Sequence, residues 1–306
     1  MSPSVNLYIS NIQSECGDST ISDIGQFDGN DSVCSDIVNP IGHGVVNTEK
    51  GNLKQDKVNA ALSLPIVATY NLRSLFPKID SLKKDLLERN VDVGFLTEIW
   101  EQAHKSEHQF EIEKMLELNG LQYISAPRAP NKKGVSYGGA AIVVNKSKFT
   151  CEKLNINTPK NLEAVWGLLR PKNASAKFKK IIICSFYSPP NKKQNSEMAD
   201  YIVTTLQMLS SKYPECGLIL GADKNDMDIG PILRCGLRLR QVVNSSTRKG
   251  AILDNIIMNL FSYYKSPIIV PPIQPDNPNR GKPRVPESQK YKTFQIADSL
   301  MQKLSR

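Results

Sequence analysis

The stretch Gly217-Leu-Ile-Leu-Gly-Ala-Asp-Lys-Asn-Asp-Met-Asp228 joins an apolar run to a strongly polar ending. Its first six residues are typical of a short buried strand. The run ends on Asp223, and Asn225 follows two residues later. Ligand sites in α/β folds gather where strands end, because several strand termini can converge there. The stretch therefore predicts a core strand that carries polar side chains to the edge of a sheet.

The chain upstream alternates in the same way between strand and helix patterns. Residues 64–70 and 91–97 are rich in strand formers. Between them, four apolar residues recur on one face with the helical period: Ile79, Leu82, Leu86 and Leu87. A strand, a helix and a strand with short joints predict a layered α/β unit.

Strand patterns outnumber helix patterns over the rest of the chain. Helices are predicted for residues 101–119 and 195–212. Strands are predicted over 121–125, 138–144, 164–169, 181–187, 217–222 and 251–259. This arrangement favours an α/β domain of two mixed β-sheets packed face to face, with helices outside.

Composition divides the chain into three parts. Residues 1–60 are rich in Ser, Asp, Asn and Gly and carry a net charge of −5, which predicts a disordered acidic leader. Residues 61–265 are predicted to form the folded domain. Residues 266–306 begin with a proline-rich stretch, predicted to be extended, and end in the pattern of a short helix.

Polar residues end or follow several of the predicted strands, and another lies within the last one. Individually, Asn and Asp after a strand are usually turn formers, so only the set is informative. Its members are Asn71, Glu98, Tyr187, Asp223, Asn225 and Asp254. Carboxylate and amide oxygens without a His or Cys cluster suit a hard divalent ion such as Mg²⁺.

Seven motifs in order resemble the endonuclease/exonuclease/phosphatase superfamily, and in particular the apurinic-endonuclease-like domain of non-LTR retrotransposons. The similarity spans roughly residues 64–283. The motifs are Tyr70-Asn-Leu-Arg-Ser-Leu, Phe95-Leu-Thr-Glu, Gly138-Gly-Ala-Ala-Ile, Glu163-Ala-Val-Trp, Ser185-Phe-Tyr-Ser-Pro-Pro, Gly221-Ala-Asp-Lys-Asn, and Thr247-Arg with Leu253-Asp. The resemblance implies a four-layer, deoxyribonuclease-I-like sandwich.

The resemblance also implies a role for each site residue. Glu98, with Asn71 beside it, would bind Mg²⁺, or Mn²⁺ in its place. Asp223 would orient and deprotonate the attacking water, and Tyr187 and Asn225 would hydrogen-bond the phosphate or the water. Two more residues complete the set: Thr247 would support the phosphate region, and Asp254 corresponds to the Asp that orients a catalytic His.

That catalytic His is missing from the sequence. The family closes its site with Ser-Asp-His, but here Asn279-Arg-Gly-Lys-Pro is followed by Arg284-Val-Pro-Glu-Ser. Loss of an acid/base or charge-stabilising group typically costs about 10²–10⁴ in rate. The resemblance therefore implies a DNA-nicking, Mg²⁺-dependent phosphodiester hydrolase that is crippled or inactive, with its C-terminal core strand missing. A non-catalytic binding remnant and a phosphatase or phospholipase are the alternatives.

The charge pattern bears on the partner. The whole chain carries +9, so residues 61–306 carry +14. A basic body suits DNA, although a solvated basic surface explains the charge equally well. Five basic residues are candidates for a DNA-facing edge: Arg234, Arg238, Arg240, Arg248 and Lys249.

The sequence shows no sign of a membrane or secreted protein. No apolar run is long enough for a membrane span, the N-terminus lacks a secretory pattern, and the six cysteines show no framework spacing. We therefore expect an intracellular protein, nuclear or cytoplasmic, that is not secreted.

Overall fold

A computed structural model describes residues 6–10, 63–101, 106–132, 136–173, 176–248 and 250–276. In this part of the chain, one six-stranded sheet has the order β12-β1-β2-β3-β5-β4. Its strands are Asn6–Ile9 (β1), Val67–Asn71 (β2), Val93–Thr97 (β3), Leu121–Ala126 (β4), Ala140–Asn145 (β5) and Ile268–Val270 (β12). We call this the first sheet.

A second six-stranded sheet has the order β10-β11-β9-β8-β7-β6. Its strands are Phe149–Lys153 (β6), Glu163–Pro171 (β7), Ile181–Tyr187 (β8), Gly217–Asp223 (β9), Arg240–Gln241 (β10) and Asp254–Met258 (β11). Both sheets are mixed, since the pairs β2–β3 and β8–β9 are parallel and the other pairs are antiparallel.

Helices cover the outer faces of the sheets. They are Ile79–Glu88 (α1), Ser106–Glu117 (α2), Lys192–Lys212 (α3) and the single turn Gly230–Leu233 (α4), with 3₁₀ turns at Phe76–Lys78 and Phe261–Tyr263. Ile79, Leu82 and Leu86 pack on the first sheet, as their period predicted. Leu87 does not, because 56% of its surface is exposed. The predicted architecture of two packed mixed sheets with flanking helices is confirmed.

The two sheets meet at a close-packed, largely apolar interface. Phe95 lies at its centre with no exposed surface. A Cβ placed on Gly221 would lie 2.3 Å from Phe95 Cγ, so only glycine fits at that position. Nearby, Ser185 Oγ donates a hydrogen bond of 2.9 Å to the carbonyl oxygen of Leu96, which links β8 to β3 across the interface.

Strand direction brings the polar strand ends to one edge. Because β2 and β3 are parallel, Asn71 and Thr97 end side by side, and the parallel pair β8–β9 places Tyr187 opposite Asp223. Strand β11 runs antiparallel to β9, so its first residue, Asp254, lies opposite Asp223. Four strand ends and one strand start thereby supply the candidate site.

The predicted domain boundaries need two corrections. The prediction of a disordered leader is wrong for Asn6–Ile9, because β1 pairs with both β2 and β12. Leu7 and Ile9 are buried in the main core, and that burial outweighs the polar composition around them. The first sheet also continues past the boundary predicted at residue 265, since β12 pairs with β1. Residues 11–62 and the predicted helix at 292–304 lie outside the described residues.

Cys151, Cys184, Cys216 and Cys235 are free thiols, and Cys16 and Cys34 lie outside the described residues. Over the ranges described, no helix is both long enough and apolar enough to cross a membrane.

Candidate active site

Asn71, at the end of β2, joins the two predicted acidic residues. Its Nδ2 donates to Glu98 Oε1 at 2.9 Å and also to Asp223 Oδ2. Asn71 and Asp223 are buried, whereas Glu98 is only partly so. The structure therefore brings together three residues that are 27 and 152 positions apart in sequence, as the strand-end pattern predicted.

Two acceptor atoms in this group lack a donor. Among the residues that the structure describes, Asn71 Oδ1 and Asp223 Oδ1 are buried and have no hydrogen-bond partner. A buried acceptor without a partner costs about 1–3 kcal/mol, so each such atom calls for an explanation such as a bound ion or a water molecule. Together with the Glu98 carboxylate, the Asn71 amide oxygen matches the oxygen ligands that Mg²⁺ prefers, and Asp223 Oδ1 lies beside them. No group of three or more His, Cys, Asp and Glu in the described ranges has metal-site geometry, so a cation held here would need the Asn71 amide oxygen as a further ligand.

Arg248 lies between the two aspartates at the ends of β9 and β11. Its Nη2 is 3.0 Å from Asp223 Oδ2 and 3.1 Å from Asp254 Oδ1, and its Nε donates to Asp254 Oδ2 at 3.2 Å. Arg248 is only 9% exposed. The hypothesis that it belongs to an exposed DNA-facing edge is therefore wrong: it neutralises the two buried carboxylates instead.

The electrostatics of this trio are dominated by burial. Burial, followed by the charge of Asp254, raises the pKa of Asp223 to about 7, although Arg248 opposes the rise. Burial also raises the pKa of Asp254, again against the effect of Arg248. Burial disfavours the charged form of Arg248, but the two carboxylates outweigh it and raise its pKa, so the guanidinium stays protonated. Asp223 consequently exchanges a proton near neutral pH.

Thr247 fixes the position of Asp254. Its Oγ1 accepts hydrogen bonds from the backbone N–H groups of Leu253, at 2.9 Å, and Asp254, at 3.1 Å. The hydroxyl oxygen thus holds the turn before β11 and sets where the Asp254 carboxylate meets Arg248. Its predicted contact with a phosphate stays a prediction.

Tyr187 stands at the rim of the site beside a second ion pair. Arg128 forms a salt bridge with Glu163, and its guanidinium lies 5.7 Å from the centre of the Tyr187 ring. Glu163 Oε2 also accepts a hydrogen bond from the Gly139 backbone N–H. Burial and the nearby charge of Glu98 raise the pKa of Tyr187, so its hydroxyl keeps its proton and can donate it in a hydrogen bond. No sequence signal pointed to Arg128.

Asn225 and Glu98 depend on unusual backbone conformations. Their φ angles are +44° and +51°, in the left-handed region that non-glycine residues rarely adopt. Asn225 Nδ2 donates to the carbonyl oxygen of Ser188 at 2.8 Å, which fixes the amide beside β8. Strain of this kind persists only when the surrounding structure enforces it, and it is common at functional sites.

Lys78 adds a cation that sequence reasoning missed. Its Nζ donates to the carbonyl oxygen of Leu72, in the turn after β2. Burial, with help from Arg73, lowers its pKa to about 8, whereas Glu98 favours its charged form. The partly buried Lys78 therefore lies close enough to Glu98 for the two charges to interact.

Comparison with known proteins gives structural matches only. No protein-family model matches the chain, and no curated protein matches it. A solved endonuclease/exonuclease/phosphatase family protein from Bacteroides thetaiotaomicron is 16% identical, with a TM-score of 0.49, over 63% of this chain and 82% of that one. The human Nocturnin catalytic domain is 14% identical, with a TM-score of 0.47, over 61% and 76% of the two chains. The endonuclease domain of TRAS1, a telomere-specific non-LTR retrotransposon, is 17% identical, with a TM-score of 0.42, over 62% and 82%.

Proposed function

We propose that the chain is a member of the endonuclease/exonuclease/phosphatase family and a divalent-metal-dependent phosphodiester hydrolase that acts on DNA. The proposal rests on one observation. Asn71, Glu98 and Asp223 meet at one edge of the sheets, and one buried oxygen each of Asn71 and Asp223 accepts no hydrogen bond from the residues that the structure describes. Turn-forming residues scattered over a surface would not converge in this way. The order of the seven sequence motifs supports the same assignment.

Each residue of the site has a separate role in the proposed reaction. Glu98 and the amide oxygen of Asn71 would hold Mg²⁺ or Mn²⁺, which supplies stabilisation of developing negative charge on phosphate oxygen. Asp223 accepts the proton of the attacking water at Oδ1, while Asn71 and Arg248 hold its Oδ2. The water oxygen forms a bond to phosphorus as the bond to the leaving oxygen breaks, and that oxygen takes its proton from solvent.

Tyr187 and Asn225 suit the role of phosphate donors. The Tyr187 hydroxyl stays protonated over the working pH range because its pKa is raised. Asn225 uses one N–H for Ser188, and an amide carries a second N–H that is able to donate to a phosphate oxygen. Both side chains are partly exposed, so a substrate is able to reach them.

DNA is the proposed substrate class, with nicking of the retrotransposon type. The support is the motif order together with the net charge of +14 on residues 61–306, since phosphate neutralisation provides much of non-specific DNA affinity. A slow reaction is expected, because the tail supplies no Asp-His pair and His43, His104 and His108 all lie upstream.

A second candidate function is nucleic-acid or protein binding without catalysis. The observation that favours it is Arg248, whose guanidinium already occupies one oxygen of Asp223. If water cannot reach the other oxygen, Asp223 serves only the stability of the fold.

Nicking of supercoiled plasmid by the purified chain decides between the two functions. We expect slow nicking with Mg²⁺, none in EDTA, and none in Asp223→Ala; Asp226→Ala, an exposed neighbour, is the matched control and keeps the activity. Nicking that survives in Asp223→Ala, or in EDTA, contradicts the proposed catalytic set. If the folded wild-type protein does not nick the plasmid, the hydrolase proposal fails and the binding function remains.

A further inference from the structure

Basic residues line the edge of the second sheet opposite to the candidate site. Ile181, Gly217 and Met258 lie at that end of β8, β9 and β11, six, six and four residues from Tyr187, Asp223 and Asp254. At about 3.3 Å per residue the two edges are roughly 20 Å apart. Basic residues flank every strand there, and we call them the basic edge: Lys148, Lys172, Lys177, Lys180, Lys212, Arg240 and Lys265.

Aromatic rings hold several of these cations in place. Lys177 Nζ lies 4.9 Å from the centre of the Tyr263 ring, Lys180 Nζ lies 5.1 Å from Tyr213, and the Arg240 guanidinium lies 4.2 Å from Phe261. A ring face orients a cation but does not cancel its charge.

Most of the positive charge of the basic edge is not compensated by acidic side chains. Lys148 is paired with Asp92 at 3.0 Å. Over the described ranges, Lys177, Lys180, Lys212 and Arg240 form no ion pair with a carboxylate. All four are exposed, and Glu215 is an exposed acid close to Lys212 in sequence. The basic edge is therefore a strongly positive surface that suits an anionic occupant.

The chain itself carries such an occupant. The carbonyl oxygen of Ser10 accepts a hydrogen bond of 3.2 Å from the Lys265 backbone N–H, and Ser63 Oγ accepts one of 3.0 Å from Asn173 Nδ2, next to Lys172. The sequence between Ser10 and Ser63 thus leaves and re-enters the fold beside basic-edge residues. It contains eight acidic residues and three lysines, a net charge of −5.

We propose that the basic edge binds the acidic sequence of residues 11–62 of the same chain. Attachment at both ends gives this sequence an effective concentration near the edge in the millimolar range, without any cost of bringing two molecules together. A separate nucleic acid engaged at the candidate site would have to extend roughly 20 Å farther to reach the same cations. Binding through charge is screened by salt, with a Debye length of about 8 Å at physiological ionic strength.

Carbodiimide cross-linking of the full chain, mapped by mass spectrometry, tests the proposal directly. The reagent joins only carboxylates and amines that touch. We expect acids of residues 11–62 to link to Lys177, Lys180 and Lys212, and rarely to the reference lysines Lys160 and Lys192, which are exposed at the site end of the sheet. The yield should fall about tenfold between about 0.01 M and 1 M salt, where the Debye length shrinks from ~30 Å to ~3 Å. Equal yields at reference and basic-edge lysines would overturn the proposal.

A matched set of variants shows whether the basic edge binds residues 11–62 or nucleic acid. With all eight acids of residues 11–62 changed to Asn or Gln, a short single-stranded oligonucleotide should bind more tightly at low salt. The gain should vanish when Lys177→Gln, Lys180→Gln and Lys212→Gln are added. If the neutralised chain binds the oligonucleotide no better than wild type, while the lysine changes weaken it, the edge is a nucleic-acid surface and the proposal is wrong. Neither measurement depends on catalysis, so a failure of the proposed hydrolase function leaves this test intact.

Discussion

Replacement of Arg248 by methionine should destabilise the fold strongly, and more so at high pH. Arg248 makes contacts of 3.0, 3.1 and 3.2 Å with Asp223 and Asp254, which are 1% and 2% exposed. Methionine fills much of the volume but leaves two buried carboxylates without a cation. Removing one partner of a buried ion pair typically costs about 3–5 kcal/mol. That loss is a large share of a total stability of about 5–15 kcal/mol.

The pH dependence follows from the raised pKa values of the two aspartates. The folded-state pKa of Asp223, about 7, lies above that of an unfolded Asp, about 3.9. Ionisation therefore costs the folded state stability as pH rises from about 4 to 7. Without Arg248 both carboxylates become still harder to ionise, so the loss in Arg248→Met should be largest near pH 8 and smaller near pH 5, where Asp223 is protonated.

Urea unfolding in EDTA buffer, followed by the fluorescence of the buried Trp166, measures both effects. A loss of about 3–5 kcal/mol lowers the midpoint by roughly 1–2 M for a domain of this size. Arg248→Lys keeps the charge but not the forked geometry and should fall in between. Arg234→Met, at an exposed position outside the basic edge, is the control and should change little. A loss below about 1 kcal/mol at pH 8, or an equal loss at both pH values, would refute the ion-pair account.

Three further changes probe the fold and the site. Gly221→Ala places a methyl group against Phe95 and should cost about 1–3 kcal/mol or more in urea unfolding; an unchanged midpoint would mean that the sheets are not in contact there. Leu7→Ala removes a fully buried side chain of β1 and should cost about 2–5 kcal/mol, whereas a neutral effect would place β1 outside the core. Asp223→Asn removes a buried charge, so thermal denaturation should vary less with pH between about 4 and 7 than in wild type; an unaltered profile would assign that dependence to other groups.

The hydrophobic pattern of the sequence predicted those strands and helices whose apolar residues recur with a clear period. The apolar run at residues 217–222 is β9, which extends to Asp223, and the helix predicted at 195–212 is α3, which begins at Lys192. The start of α3 was missed because its signal is the Asn191 side chain, which caps the backbone N–H groups of Lys193 and Gln194. The strand-end rule selected Asn71, Glu98 and Asp223 because ligand sites gather where strands end. Which strands lie side by side, and therefore that these three residues share one edge, is shown by the structure.

Long-range partners account for the features that sequence reasoning missed. Strand β1 has only four residues, and it is stable because β2 and β12, far away in sequence, bond to both of its edges. Arg248 is buried because Asp223 and Asp254 neutralise its charge. A buried charge needs such partners, and a local sequence pattern does not reveal them. The same reason applies to Arg128, which is positioned by Glu163 and Tyr187.

Binding of Mn²⁺ to the metal-free chain, followed by electron paramagnetic resonance, tests the central claim that Glu98 and Asn71 form one cation site beside Asp223. The account predicts a single tight site that is weakened strongly in Glu98→Gln and in Asn71→Ala, and unchanged in the exposed control Asp226→Asn. Tight binding that all four proteins share, or no binding by the folded wild-type chain, would contradict it.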